Sequence, residues 1–506
     1  MSGLVIAYGK PDQDELETML HKIKHRGSYV FGDFKINGLM MGQNYLRADG
    51  AVSEGDFKIP VQCSSNPSLR ICYDGQMGNW EELASRHDIS DGPFREERLL
   101  MELYQQYGKG MVQYLNDTIF AFVIADGDGI FAARDALGIK TMFYGLKDHT
   151  LYLASELKSI VEVTGQVYEF PPGHFMDKHG NLTQFAQLPK SRPETLHTDL
   201  DEITETIRRI IKRSFYNRVD FRVTTGSLLS GGIDSSVVAS LASEAFRHKF
   251  GKDTKLKTFA FGVGQSSDIE NARVMADYID SDHHELIVDL EYILSVLFDV
   301  IYYLESFDPS LVRSAVSNFI ISRYAREQGI EVLLSGEGGD EVFCGYTYLK
   351  DFPFEEQFSR QIECLGFLHN NAALRLDRMN ACHGVRVVAP LISGELLDYA
   401  LALPPEYKQK PVSGGKIEKW IFRKAFESFL PGEIVWRFKQ EFSQGSGAAD
   451  LLPAYFEHVI SDSELAEAQA TYPIVRSKEE LYYFRVFAEH FGTGKAMETV
   501  CQWVSL

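Results

Sequence analysis

A chain of 506 residues is long for a single hydrophobic core, so two or three domains are expected. Acidic residues outnumber basic ones by 71 to 51, a formal net charge of −20 at pH 7, and a field of that sign repels phosphate backbones. The densest basic cluster, Lys22 to Arg26 (KIKHR), is the size of an ordinary solvated helix end, which argues against nucleic acid as a partner.

The chain opens on a short apolar run, LVIAY, followed by Lys10, Pro11 and acids; this reads as neither a secretion signal nor a membrane span. A helix is predicted over DELETMLHKIKHRG, with Leu16, Met19, Leu20 and Ile23 on one face and Gly27 as a stop. Around it, GLMMG, LRICYDG, IFAFVIADGDGIFAARD and LYLASE are short apolar or alternating runs broken by Gly, Asp and Asn, the pattern of antiparallel strands. The first 190 residues are therefore expected to form an α+β domain. The segment from Gln187 to Glu202 is polar and marked by proline, and is predicted as a linker. Six cysteines show no C-x-x-C and no zinc spacing, which fits idle thiols in a reducing, cytoplasmic compartment.

From residue 191 to 506 the rhythm changes to strand, glycine-rich turn, helix. VTTGSLLS leads into SSVVASLASEAFRHK, LKTFAFGV into IENARVMADYI, HHELIVDL into EYILSVLFDVIYYLE, and GIEVLLSGEGGDE repeats the pattern. Such alternation implies a parallel, doubly wound sheet that binds ligands at the carboxyl ends of its strands. The last third reads as mostly helical.

Ser230-Gly231-Gly232-Ile233-Asp234-Ser235-Ser236 sits where a strand hands over to a helix. Glycines there let backbone N–H groups turn inward, and the helix adds the positive end of its dipole, so the loop suits an anion. A carboxylate inside it, Asp234, suits a divalent cation that accompanies a pyrophosphate. Alone, this stretch reads equally well as a tight turn with a serine cap. A second loop of the same grammar, Ser335-Gly336-Glu337-Gly338-Gly339-Asp340-Glu341, favours the ligand reading. No G-x-x-x-x-G-K-[ST] occurs, which speaks against kinases and P-loop ATPases.

LLSGGIDSS resembles the pyrophosphate loop of ATP pyrophosphatases, and the chain as a whole resembles the glutamine-dependent asparagine synthetase family. The likeness extends to LLSGEGGDEVFCGY (Leu333 to Tyr346), IVWRFKQEFSQGSG (Ile434 to Gly447), HRG (His25 to Gly27), ARDALGIKTMFYG and LYLASELKSI. It implies an N-terminal amidotransferase-like α+β sandwich over 1–190 and a synthetase domain of pyrophosphatase type over 191–506, with ATP and Mg²⁺ as cofactors. It further implies that a carboxylic acid is adenylated and that ammonia or a substrate amine then displaces AMP. By this likeness Leu229, Ser230, Gly231, Gly232, Asp234, Ser235 and Ser236 hold phosphates, Phe261, Ser335 and Gly336 line the nucleoside, and Asp234 and Asp340 face Mg²⁺. Lys439 neutralises developing charge and Glu337 orients or deprotonates the amine; on the residues alone the first could be an exposed lysine and the second a brace for its own turn. The family's substrate wall, Val-Glu-Ala-Arg-Val-Pro, is here Val385-Arg386-Val387-Val388-Ala389-Pro390, so Arg386 and Val388 change its charge. Arg375 and Arg378 are candidates to compensate, or simply solvated helix residues. A homodimer is left open.

The N-terminal segment departs further. Where the family exposes a cysteine behind its initiator methionine, this chain has Ser2. Asn-Gly-Glu has become Asp74-Gly75-Gln76, the glutamine-binding Arg has become Asn44, and the acidic residue falls near Glu96. A degenerate glutaminase is the expectation, as in β-lactam synthetases. Glutamine hydrolysis with Ser2 as nucleophile is the alternative, and a tRNA-thiolating enzyme on the same loop is the reading of another class.

Overall fold

The computed structural model describes residues 2–27, 29–36, 38–45, 59–127, 129–194, 199–264, 266–438 and 451–503. Its N-terminal strands are β1 (Ser2–Tyr8), β2 (Tyr29–Ile36), β3 (Leu39–Tyr45), β4 (Val61–Gln62), β5 (Leu69–Met77), β6 (Thr118–Asp126), β7 (Gly129–Arg134), β8 (Phe143–Lys147), β9 (Thr150–Ala154), β10 (Val167–Glu169), β11 (His174–Met176) and β12 (Leu182–Gln184). They form two six-stranded antiparallel sheets, ordered β10-β8-β9-β1-β3-β2 and β12-β11-β7-β6-β5-β4. Side-chain alternation decides how the sheets stack. Leu4 and Ile6 of β1 and Leu39 and Met41 of β3 meet Cys72, Ala121 and Val123 of the facing sheet. The opposite faces are covered by helices: Leu16 and Met19 of helix Gln13–Lys22 pack on Val5 and Ala7, and Leu99, Leu100 and Leu103 of helix Arg95–Tyr107 pack on Ile71, Phe122 and Ile124. The result is the expected α+β sandwich.

Helix Gln13–Lys22 stops earlier than its apolar periodicity predicts. Ile23 leaves helical geometry and Lys24–Arg26 forms a 3₁₀ turn, which aims the wholly buried Arg26 back under β1. The predicted linker is also shorter than its composition suggests. Asp199 accepts hydrogen bonds from the N–H groups of Asp201 and Glu202, so the helix Leu200–Arg218 begins inside it.

The C-terminal sheet is parallel, with β13 (Thr225–Leu228), β14 (Lys257–Val263), β15 (Asp282–Val288), β16 (Val332–Leu334) and β17 (Arg386–Val388) in the order β15-β14-β13-β16-β17. Helices Leu290–Leu304 and Pro309–Glu327 bury Phe259, Phe261 and Val263 on one face. Helices Leu200–Arg218, Ile233–Phe250 and Ser267–Ile279 bury Ala260, Val332 and Leu334 on the other. Strand order reverses between β13 and β16, and both glycine loops leave the carboxyl ends of these two neighbours. A crevice opens at such a switch point. No helix among the described residues is long and apolar enough to cross a membrane.

Candidate active site

The crevice is a cavity of about 210 Å³. The first loop is pre-formed by its own serines: Ser235 Oγ accepts from Ser230 N–H at 3.2 Å and donates to Gly232 O at 3.1 Å, while Gly232 N–H donates to Ser230 Oγ at 3.3 Å. Helix Ile233–Phe250 then starts with Gly232 as its cap, which makes no side-chain cap hydrogen bond. The second loop lies against the first. A methyl group on Gly336 would sit 2.5 Å from Ser235 N, and one on Gly339 would collide with Asp234 Oδ1, so the approach of the two loops requires glycine.

Leu229, Ser230, Gly232, Asp234, Ser235, Phe261, Ser335, Gly336, Glu337 and Asp340 all border the cavity. Gly231 and Ser236 belong to the first loop but stand behind it, Ser236 wholly buried in the helix. Lys439 lies outside the described residues, two positions after Arg437, which borders the cavity and donates to Ser230 O at 3.1 Å and Asp268 Oδ1 at 2.6 Å.

Composition and spacing give no reason to single out Lys419, yet the structure puts it at the centre of the two loops. It is fully buried at the start of helix Trp420–Phe426; its ammonium pairs with Asp234 and stands 2.7 Å from Asp340 Oδ1. Two carboxylates on different loops thus share one cation. Such a pair of hard oxygen donors suits Mg²⁺, which takes one or two carboxylates and completes its shell with phosphate oxygens and water. Among the described residues no group of three or more His, Cys, Asp and Glu forms a metal cage. Negative charge is crowded here. Burial, then the neighbouring Glu337 and Asp340, push the Glu341 carboxyl up to about 7, although Tyr346 donates to it at 2.6 Å. Arg375 answers part of that charge with a 2.8 Å ion pair to Glu337.

The remaining wall candidates do not border this cavity. Val388 is buried in the core, with its carbonyl accepting from Ser335 N–H at 2.9 Å. Arg386 is the first residue of β17, at the end of the sheet away from the crevice, and faces a second pocket. Arg378 is wholly buried between Glu156, at 2.6 Å, and Glu305, at 2.8 Å. Of the cations proposed to compensate the altered wall, Arg375 alone borders the cavity.

The second pocket, about 180 Å³, is bordered by Ser2, Asp74, Gly75, Gln76 and Glu96. Asn44 is turned away and donates to Leu20 O at 2.9 Å. Asp74 accepts from Ser2 N–H at 3.0 Å and is paired with Arg26 at 2.9 Å and Lys140 at 3.3 Å. Burial alone would raise its carboxyl, but Lys140 and Arg26 outweigh that and hold it below the ordinary carboxylate range. Gln76 donates to Arg218 O at 3.0 Å, and Glu96 accepts from Tyr73 OH at 2.6 Å.

The asparagine synthase family profile matches residues 206–370 and 358–499, and a glutamine amidotransferase domain profile matches 1–216. The chain is 33% identical to a probable glutamine-hydrolysing asparagine synthetase of Schizosaccharomyces pombe, covering 96% of this chain and 91% of that one. It is 30% identical to the glutamine-hydrolysing asparagine synthetase 1 of Saccharomyces cerevisiae, over 96% and 91%. It is 31% identical to the glutamine-hydrolysing asparagine synthetase 3 of Arabidopsis thaliana, over 86% and 78%. With both of its parts matched and the relatives aligned over most of their lengths, the chain belongs to the asparagine synthetase family of carbon–nitrogen ligases.

Proposed function

We propose that the chain joins a small carboxylic acid to ammonia or a substrate amine at the expense of ATP, through an acyl-adenylate. The meeting of the two glycine loops around Asp234, Lys419 and Asp340 carries this reading. ATP is a substrate here: a carboxylate oxygen attacks its α-phosphorus, the bond to pyrophosphate breaks, and the amine then attacks the acyl carbon as AMP leaves and the amine sheds a proton. Backbone N–H groups in the first turn of helix Ile233–Phe250, on a loop braced by Ser230 and Ser235, fix the pyrophosphate end, where fixed donors lower the barrier for departing charge. Mg²⁺, held by Asp234 and Asp340, would neutralise phosphate charge when bound. Glu337, oriented by Arg375, is placed to receive the amine's proton. By the family likeness, Lys439 supplies the compact cation that neutralises the tetrahedral oxyanion.

The nitrogen source in this reading is not glutamine. Asp74 puts a carboxylate where an oxyanion needs a donor, and Asn44 offers no charge for a glutamine carboxylate. Glutamine hydrolysis by Ser2 is the rival; it is favoured by the names of the relatives and by Ser2 bordering a pocket of about 180 Å³. Aspartate as the acid is one member of a wider class, because Arg386 and Val388 replace the family's wall residues. Pyrophosphate release measured over a panel of acids, each with ammonium, small amines or glutamine, tests the proposal. Release with some acid–amine pair and none that depends on glutamine is expected; no release from any pair would overturn it.

A further inference from the structure

Between the two pockets lies a cluster of eight charged side chains, each at most 8% exposed: Arg26, Lys140, Lys158 and Arg378 against Asp74, Glu156, Glu305 and Asp377. Arg26 pairs with Asp74 at 2.9 Å, Asp377 at 2.7 Å and Glu156 at 2.8 Å. Lys140 spans Asp377, at 2.9 Å, and Asp74, at 3.3 Å. Glu156 and Glu305 are each shared by Lys158 and Arg378. His25 is paired with Glu156 at 3.0 Å and burial lowers its pKa; Tyr303, Cys382 and Arg134 are further titratable neighbours of the cluster.

The cluster joins the two halves of the chain. Asp377 and Arg378 belong to helix Ala372–Ala381, and two to three residues earlier the same helix carries Arg375, which with its ion-pair partner Glu337 borders the C-terminal cavity. Four positive and four negative groups balance only while every member is present. In an interior from which water is excluded, removing one partner leaves its neighbour's charge uncompensated, and the survivors must move or draw water in. With an amide at position 74, four cations would face three anions, and Lys140 would keep Asp377 as its sole counter-ion.

We propose that Asp74, though it stands in the N-terminal pocket, is a positioning residue of the ligase site. Through Arg26 and Lys140 it anchors Asp377, and with it the helix that sets Arg375 on Glu337. The N-terminal half is thereby a structural part of the C-terminal site, and the acid at position 74 serves that coupling. This rests on the ligase reading above, but its first test needs no substrate.

Full-length Asp74→Asn is compared with wild type and with the charge-balanced double variant Asp74→Asn/Lys140→Met by hydrogen–deuterium exchange without nucleotide. Asp74→Asn is expected to speed exchange in the peptides covering 372–384 and 335–343 while distant strands of the C-terminal sheet keep wild-type protection, and the double variant is expected to restore both peptides. With the acid and amine found by the panel, kcat of Asp74→Asn should fall on the order of ten- to a hundredfold, with KM for ATP nearly unchanged and kcat recovered in the double variant. Wild-type exchange in both peptides, or a double variant no better than the single one, would overturn the proposal. If Asp74→Asn does not fold, the double variant decides: folded with wild-type protection it supports the coupling, and unfolded it refutes it. A wild-type protein inactive with every acid would sink the ligase reading and leave the exchange result to judge the coupling.

Discussion

The two pockets are similar in size, about 180 and 210 Å³, but opposite in electrostatic state. In the N-terminal pocket the carboxylate at its base, Asp74, is held below its ordinary range by internal cations. Behind the C-terminal cavity, the buried Glu341 is pushed up to about 7 by burial and by its neighbours Glu337 and Asp340, which border the cavity. In the first site fixed lysine and arginine side chains hold the carboxylate charged; in the second, Lys419 answers Asp234 and Asp340 and Arg375 answers Glu337, while Glu341 is met by the Tyr346 hydroxyl. Crowded like charge around glycine-bounded backbone donors is what a metal–phosphate site needs, and a neutral buried lattice is what a scaffold needs. On the proposed reading, that difference separates a working ligase site from a retained glutaminase shell.

The largest effects are expected at the C-terminal cavity. Asp234→Ala and Asp340→Ala should abolish pyrophosphate release, and Lys439→Ala should lower its rate roughly a hundred- to thousandfold while the circular dichroism spectrum stays native. Lys439→Arg should fail as well, since a planar guanidinium does not replace a compact ammonium. Gly339→Ala places a methyl group on Asp234 Oδ1 and forces the loops apart; a loss on the order of a hundredfold in kcat is expected in the same assay.

Lys419→Met should act on stability before activity. Without the shared ammonium, Asp234 and Asp340 repel each other, so the melting temperature should fall in metal-free buffer. The gap to wild type should narrow on adding Mg²⁺ with ATP, because a ligand that binds only the folded state stabilises it. Calorimetry with and without Mg²⁺ checks this, and a gap that widens with metal would contradict the shared-cation reading.

A smaller effect concerns acid. Asp74 and Asp377 both lie below their ordinary range in the folded chain, so the unfolded chain binds more protons as pH drops. Their contribution to stability is full above an unfolded carboxylate pKa of about 4 and is lost as pH falls through the lower folded values. Urea unfolding between pH 6 and pH 2.5 should show stability falling on the acid side, with a shallower fall in Asp74→Asn. The smallest effect expected is none: the protein should release no glutamate from glutamine, and Ser2→Ala should keep full ligase activity. Glutamate release that ATP stimulates and Ser2→Ala stops would revive the rival.

Alternation of strand and helix, and the two glycine loops, made the C-terminal architecture and the loop-lined end of its cavity legible in sequence, because those features are local. Lys419 was not legible. A lysine between a hairpin and a helix becomes notable only when two loops some eighty and two hundred residues away close on it. The ion cluster was hidden for the same reason: Arg26, Asp74, Lys140 and Asp377 are far apart in the chain, and Arg378 reads from its helix as a solvated or substrate-facing cation when it is wholly buried. The motif reads Arg386 as part of the substrate wall, whereas a three-residue strand puts its first residue at the far end of the sheet. Charge changes were easy to see in the sequence; which partners answered them was a property of the fold.

On the proposed reading, the C-terminal cavity splits ATP between its α- and β-phosphorus to activate an acid. Phosphorus NMR of the full reaction, with the acid and amine identified by the panel, tests it most directly. AMP and pyrophosphate should appear in equal amounts and in step with the amide product. ADP and inorganic phosphate as the products would contradict the account.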